Sequence, residues 1–170
     1  MKAIATALVL SLPLVALAQT PSDPQIAGIV VTANQIDVDA GKLAKARSRN
    51  KEVQQFAQLM ITDHTAVNKQ AAALVKKLGV KPQNSETSKS LKQGAAENMA
   101  HLKKLKGAPF DKAYIDHEVA YHEQVLGAID NVLIPGARNA ELKDLITKVR
   151  PAIEAHLQHA RHVQEMLEKK

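Results

Sequence analysis

Residues 50–79, "NKEVQQFAQLMITDHTAVNKQAAALVKKLG", decide the fold because their apolar residues recur at alternating steps of four and three. This period is typical of an α-helix that packs one face against a partner helix. Asn50 is a favourable N-cap, and Gly79 is the residue type that most often follows a helix end. A single histidine, His64, interrupts the apolar face, whose other members are Val53, Ala57, Met60, Val67, Ala71, Leu74 and Leu78.

The remainder of the chain is also rich in helix-forming residues and lacks β-branched runs with a period of two. Residues 106–109, "KGAP", should break the helical pattern, and Pro151 should kink the last helix. Four long helices with a short extra helix in the middle connection predict an all-α four-helix bundle. Besides the helix of residues 50–78, we predict helices at about Ser22–Ser48, Glu86–Leu105, Phe110–Leu133 and from Ala140 to near the last residue.

One ionisable residue interrupts the apolar face of each long helix. The four residues are Asp37, His64, His122 and His156. Burying such groups costs several kcal/mol, in order of magnitude, unless partners are supplied, so we expect them to meet one another, a water or a metal. A carboxylate and imidazoles that converge in a bundle core are a possible ligand set for copper, zinc or iron. A hydrogen-bonded polar cluster that only fixes helix packing, or separate histidines without a common site, are the alternatives.

Other polar residues near these four have candidate roles. The fourth helix supports a second apolar face that contains His117, which is therefore the reserve ligand. Asp63 and Glu118 are candidate acceptors for imidazole N–H groups around the metal, although both could be ordinary surface charges. His159 and His162 lie on the flank of the last helix's apolar face, so we expect them at its boundary or on the surface.

The N-terminal segment has the features of a secretory signal peptide. Residues 1–18 combine a charge at Lys2, an apolar run and a small-residue ending, Ala16-Leu17-Ala18. We expect cleavage after Ala18, a single helical-bundle domain at residues 19–170, and a periplasmic location or, alternatively, secretion. No transmembrane segment is expected in the mature chain.

The composition excludes several classes of function. The chain contains no cysteine, so thiolate chemistry and disulfides are excluded. Only two Phe and two Tyr are present, and the formal net charge of +6 is spread among acidic residues, so no nucleic-acid partner is expected. An envelope partner is possible, but the sequence identifies neither that partner nor an oligomeric state.

Three segments together resemble the exported bacterial family called Domain of Unknown Function 4142, a ferritin-like helical group. They contain the elements FA-x-x-M-x-x-DH at residues 56–64, FD-x-x-Y at residues 110–114, and P-x-x-x-x-H at residues 151–156. The resemblance covers nearly the whole mature chain. It implies a ferritin-like bundle with His64, His122 and His156 as recurrent histidines. The family usually carries Glu where this chain has Asp37, a shorter side chain that could reshape a site.

Four well-known catalytic or metal-binding motifs are absent from the sequence. It contains no Glu-x-x-His, so oxygen-activating di-iron chemistry is disfavoured, and it has no HExxH, phosphate loop or nucleophile elbow. Whether the protein is an enzyme is left open, with the balance against it. Two hypotheses follow: an exported bundle that binds a transition metal, with envelope stress as a candidate context, or a non-catalytic interaction or structural module with packing histidines.

Overall fold

The computed structural model describes residues 20–169, which form an all-α bundle without strands in that range. The signal-peptide prediction for residues 1–18 lies outside the described residues. None of the helices within residues 20–169 has the length and apolar character needed to cross a membrane. The helices are α1 (Asp23–Arg47), α2 (Lys51–Lys77), α3 (Glu86–Lys104), α4 (Gly107–Ala128), α5 (Ile134–Gly136) and α6 (Ala140–Glu168), with a π-helical turn at Ile129–Leu133.

Asparagine caps mark the starts of α2 and α6, and the sequence predicts the first of them. The side chain of Asn50 accepts a hydrogen bond from the backbone N–H of Glu52 at 3.0 Å. In the same way Asn139 accepts one from the backbone N–H of Leu142 at 3.0 Å. Each cap satisfies one of the backbone donors that the first turn of a helix leaves without an intrahelical acceptor.

The predicted start of the fourth helix at Phe110 is wrong. α4 begins three residues earlier, at Gly107, where φ is +58° and glycine is favoured. Pro109 therefore lies in the first turn, where a backbone N–H has no intrahelical acceptor and proline is tolerated. At the other end, α4 passes into the π-helical turn Ile129–Leu133. Pro151 lies inside α6, which continues through it.

The long helices pack in two pairs, α1 with α2 and α4 with α6, and α2 also contacts α6. Gly41 permits the close approach of α1 and α2, because a Cβ atom there would lie 2.9 Å from the backbone oxygen of Ala57. α3, the short extra helix, contacts α1 and α4 and buries only Ser88 and Leu102.

The core consists of two apolar clusters. On every long helix the predicted ionisable residue lies, along the chain, between the members of one cluster and those of the other. On α6, for example, Ile153 belongs to one cluster, Ala160 to the other, and His156 lies between them. The bundle therefore contains a polar layer inside an otherwise apolar core.

Candidate metal centre

Three histidines meet in the polar layer, one each from α2, α4 and α6. His64, His122 and His156 are 2%, 1% and 4% exposed. Their ring centroids are 5.1 Å apart for His64 and His156, 5.7 Å for His122 and His156, and 5.8 Å for His64 and His122. One nitrogen of each ring lies within 4.8 Å of the other two, close enough for a single ion to contact all three.

Each of these rings uses one nitrogen to hydrogen-bond an acceptor. Nδ1 of His64 lies 2.8 Å from Oδ1 of Asn34, whose Nδ2 donates to the backbone oxygen of Val30. Nδ1 of His122 lies 2.9 Å from the backbone oxygen of Glu118. Nε2 of His156 lies 2.9 Å from Oδ2 of Asp63. Because a neutral imidazole has one donor and one acceptor nitrogen, these contacts place the proton on the bonded nitrogen of each ring.

The other nitrogen of each ring is buried and has no hydrogen-bond partner among residues 20–169. These atoms are Nε2 of His64, Nε2 of His122 and Nδ1 of His156. A buried acceptor without a partner is costly, and most native proteins avoid it. Metal-binding histidines have this arrangement, in which the N–H is held by a carboxylate or carbonyl and the lone pair is left for the metal.

Two buried carboxyl groups complete the polar layer. Asp37 and Glu118 are 3% and 1% exposed, and each can offer an oxygen within 4.8 Å of a nitrogen of His122 and of each other. Oδ1 of Asp37 and Oε2 of Glu118 have no hydrogen-bond partner within the described part of the chain. Oδ2 of Asp37 is 3.5 Å from Nδ1 of His64, and Oε2 of Glu118 is 3.5 Å from Nδ1 of His122.

Burial shifts the pKa values of both carboxyl groups and of two of the histidines. It raises the pKa of Glu118 to about 8, and burial together with the neighbouring Glu118 raises the pKa of Asp37 well above its usual range. The pair therefore holds at least one proton at neutral pH. Burial and the neighbouring imidazoles lower the pKa of His64 to about 3, and burial lowers that of His122 to about 4. Both rings are therefore neutral at pH 7, the form that binds metals.

The structure leaves the other histidines outside the converging ligand atoms and brings both candidate acceptors to the centre. His117, the reserve ligand, is partly buried and stacks on Tyr121 with ring centroids 5.8 Å apart, outside both groups of converging ligand atoms. His159 is partly buried against Phe56 at 5.3 Å, and His162 is exposed. Of the two candidate acceptors, Asp63 bonds His156, whereas the view of Glu118 as a surface charge is wrong because Glu118 is buried beside Asp37.

Two polar residues of the centre were missed by the sequence analysis. Asn34, on α1, accepts the hydrogen bond of His64. Tyr114, on α4, has a buried hydroxyl whose pKa is raised by burial and by the negative charge of Glu118. Asn34 lies one turn before Asp37 and Tyr114 one turn before Glu118, a spacing that places each pair on one helix face and could have indicated both.

The three histidines of α6 should differ in their contribution to stability. We expect His156→Ala to lower the free energy of unfolding of the metal-free protein by about 1–3 kcal/mol, because it leaves a cavity and removes the hydrogen bond to Asp63. His162→Ala should stay within about 0.5 kcal/mol of the parent. His159→Ala should lose about 0.5–1.5 kcal/mol with its contact to Phe56. Urea unfolding of the three variants measures this order, and a larger loss in His162→Ala than in His156→Ala would contradict it.

Stability should also depend on pH in an unusual way. Between pH 8 and 6.5 the folded state keeps a carboxyl proton that the unfolded chain has lost, so stability should rise by about 2 kcal/mol as the pH falls through this range. Below pH 6.5 the unfolded histidines gain protons that the folded His64 and His122 do not, which opposes further stabilisation. Glu118→Gln should reduce the rise, since burial still raises the pKa of Asp37, and should reveal a loss of stability below pH 6.5. Melting temperatures of the metal-free proteins from pH 8 to 5 test this, and identical profiles for parent and variant would refute it.

The family model described as Domain of unknown function (DUF4142) matches residues 13–163. This match covers well over half of the sequence, so the chain belongs to the DUF4142 family. No curated protein and no solved structure matches the chain.

Proposed function

We propose that this member of the DUF4142 family binds one transition-metal ion in the core of its bundle, with His64, His122 and His156 as nitrogen ligands. The observation that carries the proposal is the presence of three buried ring nitrogens without partners, on rings whose N–H groups are already held by acceptors. Asp37 and Glu118 form a second converging group with His122, so we assign the fourth ligand to a carboxylate oxygen of one of them.

The chemistry of the donor atoms fits this assignment. Three imidazole nitrogens and a carboxylate oxygen suit zinc in a tetrahedral site, and they also suit copper(II) and iron(II). Asn34, Asp63 and the backbone oxygen of Glu118 would orient the rings and fix their tautomers. A metal bound here would link α2, α4 and α6, so its binding would stabilise the fold.

A polar cluster that only fixes helix packing explains the site less well. Such a cluster is favourable when its members satisfy one another, and a partly satisfied cluster costs more than an apolar core. Here five atoms from the three histidines, Asp37 and Glu118 are buried without a partner within residues 20–169. A metal ion would bind the three ring nitrogens, and each carboxyl oxygen would bind the metal or hold a proton. This favours the metal-binding role over the purely structural one.

The proposed role is to hold or buffer a metal outside the cytoplasm. This location rests on the interpretation of residues 1–18 as a signal peptide, with the periplasm as first choice and secretion as the alternative. A metal-buffering role linked to envelope stress agrees with that location. No catalytic role is assigned to the metal.

Metal analysis of untagged protein tests the function most simply. We expect about one equivalent of zinc, copper or iron after purification, or after loading and exhaustive dialysis. The triple variant Asp37→Ala/His64→Ala/His156→Ala should retain none. A parent protein that binds no metal, with a melting temperature unchanged by added zinc or copper, would overturn the proposal and leave the structural role.

Copper(II) should bind more tightly than zinc. Nitrogen-rich sites generally follow the order of affinity in which copper(II) exceeds zinc. Met60, one turn before His64, is fully buried in an apolar cluster, so we assign it to packing and not to copper. Competition titration with a chromophoric chelator gives both dissociation constants. Tighter binding of zinc would contradict the expected order, and parent-like affinity in the triple variant would place the metal at His159 and His162.

A further inference from the structure

A cavity of about 100 Å³ lies beside the candidate metal centre. Most of its wall is aliphatic and comes from α1, the π-helical turn and α6, including Val30, Ile129, Leu133, Ile146 and Ile153. A void of this size is unfavourable for a protein core, since the side chains around it lose their packing contacts. Its aliphatic part is also a poor place for water, because a buried water needs two to four polar partners.

One part of the cavity wall is polar and belongs to the metal centre. Asn34, Asp37 and His64 contribute to it, and both Asp37 and His64 carry a buried atom without a partner among the described residues. Thr87 and Gln124, which are exposed, also line the cavity, so it opens to solvent between α3 and α4. The cavity thus combines an apolar chamber, an opening and a polar contact with the centre.

The π-helical turn is a second observation that points to a ligand. Ile129 and Leu133 are the first and last residues of that turn, and both line the cavity. An α-helix accommodates a π-turn only by inserting an extra residue, and such insertions occur frequently at functional sites. Here the π-helical turn forms part of the cavity wall, and a regular α-helix would direct different side chains into the cavity.

We propose that this cavity binds a small aliphatic molecule of about three or four carbons, with one oxygen-containing head group directed to His64 and Asp37. A cavity of roughly 150 Å³ holds benzene, so a cavity of about 100 Å³ should hold a smaller molecule. The position of the head group rests on the proposed metal site, whereas the apolar part of the binding depends only on the cavity. The proposal therefore adds a ligand class to the metal centre.

The test uses 1-butanol and metal-free protein with labelled isoleucine, leucine and valine methyl groups and labelled histidine rings. Titration should produce saturable shifts at Ile129, Leu133 and Ile146, together with shifts of the His64 ring. Val53 and Val163, which belong to the other apolar cluster, should not respond. Shifts that do not saturate, or that spread over both clusters, would overturn the proposal. A saturable response without any change at His64 would refute the position of the head group.

Filling the cavity provides the matched comparison. Ala33→Leu and Ala128→Leu, at two positions in the cavity wall, should each weaken butanol binding at least tenfold. Ala46→Leu, at an exposed position of α1, should stay within twofold of the parent. Parent-like binding in both filled variants would exclude the cavity as the site. The filled variants should still bind zinc with the affinity of the parent. The experiment therefore tests the cavity and the metal site separately.

Discussion

His122→Ala should weaken zinc binding by at least about 100-fold. The substitution removes one of three converging imidazole nitrogens, and losses of 10–100-fold are typical even when only a residue that orients a ligand is removed. The fold should survive, because the two apolar clusters lie on either side of the polar layer. Competition titration at pH 7.5 measures the dissociation constant of the parent and the variant.

His117→Ala is the matched control, since His117 lies on the same helix and is partly buried, whereas His122 is fully buried. Its ring stacks on Tyr121 and is not among the converging ligand atoms, so zinc affinity should stay within about threefold of the parent. An equal loss of zinc affinity in the two variants would show that His117 takes part in the site. A loss of zinc affinity in His117→Ala alone would exclude His122 as the ligand.

The second large effect is a fall of zinc affinity of about 100-fold between pH 8 and pH 6. The folded His64 and His122 remain neutral throughout this range because their pKa values are lowered to about 3 and about 4. The carboxyl pair does hold a proton, since burial raises the pKa of Glu118 to about 8. If binding displaces that one proton, affinity changes about tenfold per pH unit below pH 8.

Glu118→Gln should reduce this slope, although it also lowers the affinity by removing an oxygen ligand. Glu123→Gln is the control. Glu123 is exposed on the same helix, and its carboxylate forms a salt bridge with Arg161. Its slope should equal that of the parent. A site made of exposed histidines would instead lose affinity only below about pH 6.5. Zinc affinities measured at several pH values therefore distinguish the two, and a constant affinity from pH 8 to 7 would contradict the buried carboxyl proton.

Much of the fold could be predicted because the helix signals are local. Asn50, Asn139 and Gly79 mark helix ends through their own backbone and side-chain chemistry. The start of α4 was missed because "KGAP" contains two helix-breaking residue types, and a proline in a first turn cannot be distinguished from a break by its type alone. The π-helical turn was not predicted, because the residue types in "IDNVL" are also compatible with a regular α-helix.

The candidate site was predictable only in part. His64 and His156 each interrupt a single apolar face, so their helix periodicity places them in the core. α4 buries both of its apolar faces, with Tyr121 on one and His122 on the other, so periodicity could not choose between His117 and His122. Glutamate is usually a surface residue, and the burial of Glu118 beside Asp37 depends on how α1 and α4 pack, which a single sequence does not contain.

The central claim is that one metal ion binds between His64, His122 and His156. The most direct measurement is an anomalous difference map, recorded at the zinc absorption edge, from crystals of untagged protein grown with one equivalent of zinc. We expect one dominant peak at about 2.0–2.1 Å from Nε2 of His64, Nε2 of His122 and Nδ1 of His156. A peak confined to the surface near His159 or His162, or no peak within the bundle, would contradict the claim.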